Sequence, residues 1–168
     1  MDDESLDKLL NDARERQFWL KPIGPPKDHP DWDVEESRTW TEREIEIHFE
    51  NSPARVAVGA VLIAFRVRYS KLIYVAERLP VAEWSREEVR SEYSRRRWPY
   101  YNKTRNLTPE YGRVWKEFSF QPFPLAEKYN EIHPEEPARL GSIQRGNDKA
   151  RIPRAFAESL VRQIREVA

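Results

Sequence analysis

The stretch Val56–Glu77, VAVGAVLIAFRVRYSKLIYVAE, stands out as apolar in a chain that is 35% charged. Val58–Val67 and Leu72–Glu77 are β-branched and aromatic runs of strand length. Arg66–Lys71 between them is too short for a helix. The spacing therefore predicts two adjacent strands joined by a basic turn. Their apolar density places them at the centre of a sheet, with the charged residues gathered where the hairpin meets water.

Outward from the hairpin, Glu44–Phe49 (EIEIHF) alternates with period two, the pattern of a half-buried strand. Phe18–Leu20 reads as a short strand, followed by a loop in KPIGPPKDHPDWD. Leu6, Leu9, Leu10 and Ala13 share one helical face, which predicts a helix over about residues 4–15. Ser85 and Glu88 have capping-box spacing and Trp84 and Val89 staple spacing, so a helix should run from there to about Arg96. Tyr100–Leu107 reads as a strand. Thr108-Pro109 should cap a further helix, with Val114, Trp115 and Phe118 turned inward. A short helix is expected from Pro124 to about Asn130. Ser142–Arg145 reads as a short strand or turn, Gly146-Asn147-Asp148 as a turn, and Arg151-Ile152 as a strand closing the sheet. A last helix after Pro153 carries Phe156, Leu160, Ile164 and Val167 along one stripe. The sum is an α+β fold: a strongly curved mixed β-sheet or partly open β-barrel flanked by helices.

A length of 168 residues fits one domain with a real core. The chain has no Cys, which excludes disulfides, a thiolate nucleophile and a Cys-ligated metal. Met1 leads into an acidic amphipathic stretch rather than a signal peptide. No apolar run approaches the roughly 20 residues a membrane helix needs, so the expectation is a soluble, cytoplasmic protein with no membrane partner. The net charge of zero conceals a split. Residues 1–50 hold 15 acidic and 7 basic side chains, and residues 51–168 hold 14 and 22. Such asymmetry marks either a surface that faces a polyanion or an ordinary dipolar surface.

The familiar catalytic signatures are missing. The three His, at 29, 48 and 133, have no metalloprotease spacing, and five Gly leave little room for a phosphate-binding loop. No Gly-x-Ser-x-Gly elbow occurs. Asp28, His29, Asp31 and Asp33 lie close in sequence and could take a hard cation, but a metal site needs convergent geometry that spacing alone does not give, so a solvated acidic loop is the favoured account. No cofactor and no metal site is expected, and a non-catalytic role outweighs an enzymatic one.

What remains distinctive is aromatic residues beside bases. Trp40, Trp84 and Trp98 each stand at an element boundary, where an indole can line a pocket or cap the core. Residues 95–105 hold Arg95, Arg96, Arg97, Lys103 and Arg105 without an acid. Residues 139–154 hold Arg139, Arg145, Lys149, Arg151 and Arg154 against Asp148. Arg and Lys meet phosphates, and an unstacked base lies on an aromatic face, so the mixture suits nucleic acid. Arg95–Arg97 also complement a helix C-terminus, which is the purely structural explanation for them.

The order of these pieces resembles the EVE domain family and, more distantly, its YTH relatives among the PUA-like folds. FWLKP resembles the first strand of these domains and RTWTE the segment that supplies a pocket-lining Trp. The Val56–Glu77 stretch is similar to the central strand pair. RWPYYNKTRNL resembles the strand that opens on a Pro-Tyr pair, and LGSIQRGNDKARIPRAFAESLVRQI the closing loop, strand and helix. The pieces cover about residues 17–105 and 139–165. Ala60 stands where the family usually has Asp after Gly. The resemblance implies a single EVE-type, PUA-like domain over residues 1–168, with an extra N-terminal helix at about 4–15 and a helical insertion at about 107–137.

It also implies a module that binds nucleic acid, DNA or RNA, and takes a modified base, most simply a methylated one, flipped into an aromatic pocket. Trp40 would then be one wall and Trp84 or Trp98 the other, with Tyr100, Asn147 and Asp148 around the base. Lys21, Arg97, Lys103 and Arg145 would meet phosphate or the base edge. Tyr69, Ser70 and Lys71 lie on the hairpin turn, and the resemblance assigns them neither a place in the pocket nor one outside it. Flipping costs a few kcal/mol, which stacking can offset. A methyl group in an apolar gap adds only about 0.8 kcal/mol. The alternatives are a metal-dependent nuclease or hydrolase on the same scaffold, using the 28–33 loop, and a protein-interaction domain. On the first reading, Trp40→Ala should bind modified and plain oligonucleotides alike, whereas Arg145→Ala should weaken both equally. Undiminished discrimination by Trp40→Ala would remove that indole from the pocket.

Overall fold

The computed structural model describes residues 8, 11, 12, 15–23, 42–66, 71–80, 96–109 and 120–167. Six strands, β1 (Phe18–Ile23), β2 (Glu44–Phe49), β3 (Val61–Arg66), β4 (Lys71–Arg78), β5 (Tyr100–Asn106) and β6 (Ala150–Ile152), form one sheet. Three helices accompany them: α1 (Pro122–Ile132), the single turn α2 (Gly141–Gln144) and α3 (Arg154–Val167). The strand order is β2-β5-β4-β3-β1-β6. Neighbours are antiparallel except β1 and β3, which are parallel. The sheet is mixed and curls into a half-barrel, an α+β architecture.

The apolar hairpin is β3 and β4, at the middle of this order, as its composition predicts. Every residue of β3 is buried. Alternation sends Val61, Ile63 and Phe65 to the helix-covered face and Leu62 and Ala64 to the inner face of the curl. The register runs from Ala64↔Tyr74 to Phe65↔Leu72, so β4 carries one extra residue, at position 73. A bulge of this kind reverses the parity of the strand. Leu72 thereby joins the helix side, while Tyr74 turns to the inner face.

Two details of the hairpin depart from expectation. Arg66 is not part of a solvated turn: it lies in β3 opposite Lys71 and is 6% exposed. An arginine can lay its long aliphatic stem along apolar surface, so a charged residue at a strand end need not face water. The strand also begins at Val61 rather than Val58, which is exposed. Gly59, at φ +83°, turns the chain into β3, a conformation that L side chains rarely adopt.

β1 is longer than its expected Phe18–Leu20 and includes Lys21 and Pro22. β6 pairs with β1 only through Leu20↔Ala150, so beyond Leu20 one side of β1 is an edge. Pro22, which has no N–H to donate, is tolerated there. β2 spans the predicted residues, with Ile45, Ile47 and Phe49 buried inward. β5 sends Asn102, Thr104 and Asn106 inward, with Thr104 opposite Ile45 and Asn102 opposite Ile47. Ser142–Gln144 form a helical turn rather than a strand.

The helices cover the other face. Along α3, Phe156, Ala157, Leu160, Val161 and Ile164 are buried, a stripe with helical period. Pro153 precedes the first turn, and its carbonyl accepts the N–H of Ala157. The Tyr129 ring of α1 packs on Phe156 with centroids 5.3 Å apart. The segment expected as an insertion thus supplies Phe120, Ala126 and Tyr129 to the main core. The helix expected before Trp98 is described only at its end, where residues 96 and 97 are helical. The helix of Val114, Trp115 and Phe118 lies outside the described residues. Among the described residues no helix is long and apolar enough to cross a membrane.

Arg16 fastens the approach to β1 onto the central hairpin. Its guanidinium donates to Glu77 at 2.8 Å, to Asp12 at 2.7 Å and to the Gly59 carbonyl at 3.0 Å. Arg105 reaches the other Glu77 oxygen. Burial works against the Glu77 carboxylate, but the hydrogen bonds from Arg16 and Arg105 outweigh it and hold its pKa below the ordinary value of 4.5. A carboxylate with a depressed folded pKa stabilises the fold above its unfolded pKa and loses that effect as pH falls through the folded one. Glu77→Gln should therefore cost about 1–3 kcal/mol at pH 7, where hydrogen bonds to a charged group are lost. The gap to the parent should close below about pH 4.5. Urea unfolding from pH 3 to 7 checks this, and equal stabilities at pH 7 would rule the clamp out.

Candidate nucleic-acid interface

β2 and β6 are the two edges of the sheet. The curl brings the residues beside them together: the Asn51 N–H donates to Asp148 Oδ2 at 2.8 Å. Asn51 follows β2, and Asp148 sits in the turn before β6, where Gly146 at φ +95° reverses the chain. Lys149 Nζ donates to Asp148 Oδ1 at 3.1 Å. One carboxylate thus ties the end of β2 to the turn preceding β6.

Beneath this tie lies Phe49, fully buried. The ammonium groups of Lys21 and Lys149 each stand 5.2 Å from the centre of its ring. This is within the range at which the negative face of an aromatic ring attracts a cation. Lys21 follows Trp19 on the inner side of β1, and strand alternation aims it into the curl. Its residue surface is 5% exposed, and Nζ donates to the Pro22 carbonyl at 3.0 Å. Burial pushes the Lys21 pKa down to about 8; Asp148 and Glu50 oppose the shift and Lys149 adds to it.

Tyr100 is the register partner of Phe49. Directly opposed residues of an antiparallel pair project from the same face, so Tyr100 stands next to the Phe49 site. Unlike Phe49 it is 45% exposed. The open end of the half-barrel therefore has a buried aromatic floor, an accessible aromatic ring and two ammonium groups. Arg97 pairs with Glu50, just past Phe49, and its guanidinium carbon lies 6.0 Å from the centre of the half-buried Trp98 ring. Lys149 pairs with Asp148 and Arg97 with Glu50, so the surplus positive charge here rests on the buried Lys21.

Of the residues singled out from sequence, Lys21, Tyr100, Asp148 and Arg97 with Trp98 gather here. Lys103 lies on the opposite face of β5, facing Glu46 across the ladder. Asn147 is exposed on the turn, its N–H donating to the Ser142 carbonyl at 2.9 Å. Arg145 is exposed and folds back on Gly141, where a Cβ would come within 3.1 Å of Nη1. Trp40, Trp84, Tyr69 and Ser70 lie outside the described residues, as does the Asp28–Asp33 loop. Among the described residues no group of three or more His, Asp or Glu is placed to hold a metal ion. Sequence reasoning passed over Phe49, which reads as one more core residue of an alternating strand. It also passed over Lys149, one of several bases in its segment. Only the tertiary curl distinguishes them.

The buried lysine is costly. With a folded pKa near 8 against 10.5 for the free group, folding penalises the protonated form by about 3 kcal/mol at pH 7. That penalty is complete below pH 8, is relieved between 8 and 10.5, and vanishes above, so stability from this group rises with pH across that window. Lys21→Met should raise stability at pH 7 by roughly 1–3 kcal/mol and flatten the rise between pH 8 and 10.5. Thermal unfolding of both proteins from pH 6 to 10.5 tests this. A destabilised Lys21→Met would mean the lysine belongs to the scaffold. No family model, curated protein or solved structure matches this chain.

Proposed function

We propose that the chain is a nucleic-acid-binding module that takes one extruded base, modified in the reading drawn from the EVE resemblance, at the open end of the half-barrel. The observation that carries the proposal is the accessible Tyr100 ring beside the two ammonium groups over Phe49. A base stacks on the aromatic face, and the flanking phosphates meet Lys149, Lys21 and Arg97. The energetic cost of Lys21 supports the same reading, since a charge held in an unfavourable place needs a reason other than stability. The curled mixed sheet is in keeping with the resemblance to PUA-like domains. Trp40 remains the first candidate for the second wall.

Binding of single-stranded oligonucleotides, followed by fluorescence anisotropy across salt concentrations, is the test. Affinity should fall with salt, and Lys149→Ala should reduce the slope by about one unit. Tyr100→Ala should cost about 1–3 kcal/mol of binding with the slope unchanged. Oligonucleotides that bind neither the parent at low salt nor the variants would exclude the function.

A further inference from the structure

The inner row of β5 consists of Asn102, Thr104 and Asn106, all buried. Two of the three are satisfied within the fold. Thr104 Oγ1 donates to the Ile45 carbonyl at 2.7 Å. Asn106 Nδ2 donates to the Glu42 carbonyl at 3.0 Å, and its Oδ1 accepts the Thr108 N–H at 2.9 Å. Asn102 differs. Its Oδ1 accepts from Arg78 Nε at 3.2 Å, but its buried Nδ2 has no hydrogen-bond partner among the described residues.

A buried amide donor left unmade costs about 1–3 kcal/mol, so its persistence calls for an explanation. Arg78 decides which end of the amide is left over. A guanidinium only donates, so it takes the Asn102 oxygen and leaves the NH2 as the free end. Asn102 lies on the same face of β5 as Tyr100, two residues further into the curl and about 7 Å along the strand. It is 4% exposed, against 45% for Tyr100. The two residues thus stand at the inner and outer ends of one row.

We infer that Asn102 reads the inner edge of the bound base and, as a fixed donor, selects bases that present an acceptor there: a keto oxygen rather than an exocyclic amine. This rests on the reading of the site as a base-binding slot and names the class of base it takes. A keto base satisfies the orphaned NH2. An amino base sets donor against donor, which leaves both unpaired and penalises the wrong ligand.

The test uses the full chain and single strands that carry one base among base-free nucleotides, read by fluorescence anisotropy at fixed salt. Uracil is compared with cytosine, and hypoxanthine with adenine, so each pair exchanges a keto oxygen for an amine. The parent should favour the keto member of at least one pair by on the order of tenfold. Asn102→Asp keeps the size and the Arg78 contact but replaces the donor with an acceptor. It should abolish or reverse the preference. Parent protein that binds these strands with no keto preference overturns the inference while leaving the base-binding slot standing. So does Asn102→Asp with the preference intact. If no strand binds, including a fully base-bearing one, the slot itself is refuted and the inference with it.

Discussion

The tie between Asn51 and Asp148 joins the two edges of an otherwise open sheet. An open sheet edge exposes unpaired backbone groups, and rolling the edges toward each other is one way of managing them. Here the same closure creates the site. β2 is one edge of the strand order and β1 is next to the other, with β3, β4 and β5 between them. Only the curl brings Lys21 of one over Phe49 of the other. Asp148 accepts from the Asn51 backbone and from Lys149 at once, so closure and rim electrostatics rest on one carboxylate.

The two faces of the sheet have different tasks. The helix side is an apolar core, where Phe65, Phe120, Phe156 and Leu160 are fully buried. The inner side mixes apolar residues with Lys21, Asn102, Thr104 and Asn106. Polar groups in an interior are destabilising unless each finds its partner. Thr104 and Asn106 find theirs in the backbone, so they serve the fold. Lys21 and Asn102 are less well served: Lys21 has the Pro22 carbonyl and the Phe49 ring, and the Asn102 amide nitrogen has no partner among the described residues.

Much of the fold was legible in the sequence because it depends on local periodicity. The alternation of Glu44–Phe49 and the apolar density of β3 and β4 gave strand identity and central position. The site was less legible. Lys21 follows a short apolar run and precedes a proline, so it reads as loop; pairing with β3 alone is what makes Lys21–Ile23 strand. Arg66 carries a charge that sequence assigns to water, whereas the neighbouring strands enclose it. Asn102 had no signal at all. Its significance comes from what Arg78, 24 positions away, leaves unsatisfied.

The extra residue in β4 has a consequence for how this hairpin can vary. On either side of position 73 the odd and even positions of the strand exchange faces of the sheet. A related chain that lost this single residue would pair without a bulge and leave Leu72 against the helices and Tyr74 in the hollow, whereas one that kept the residue but paired it in register would force both side chains onto one face.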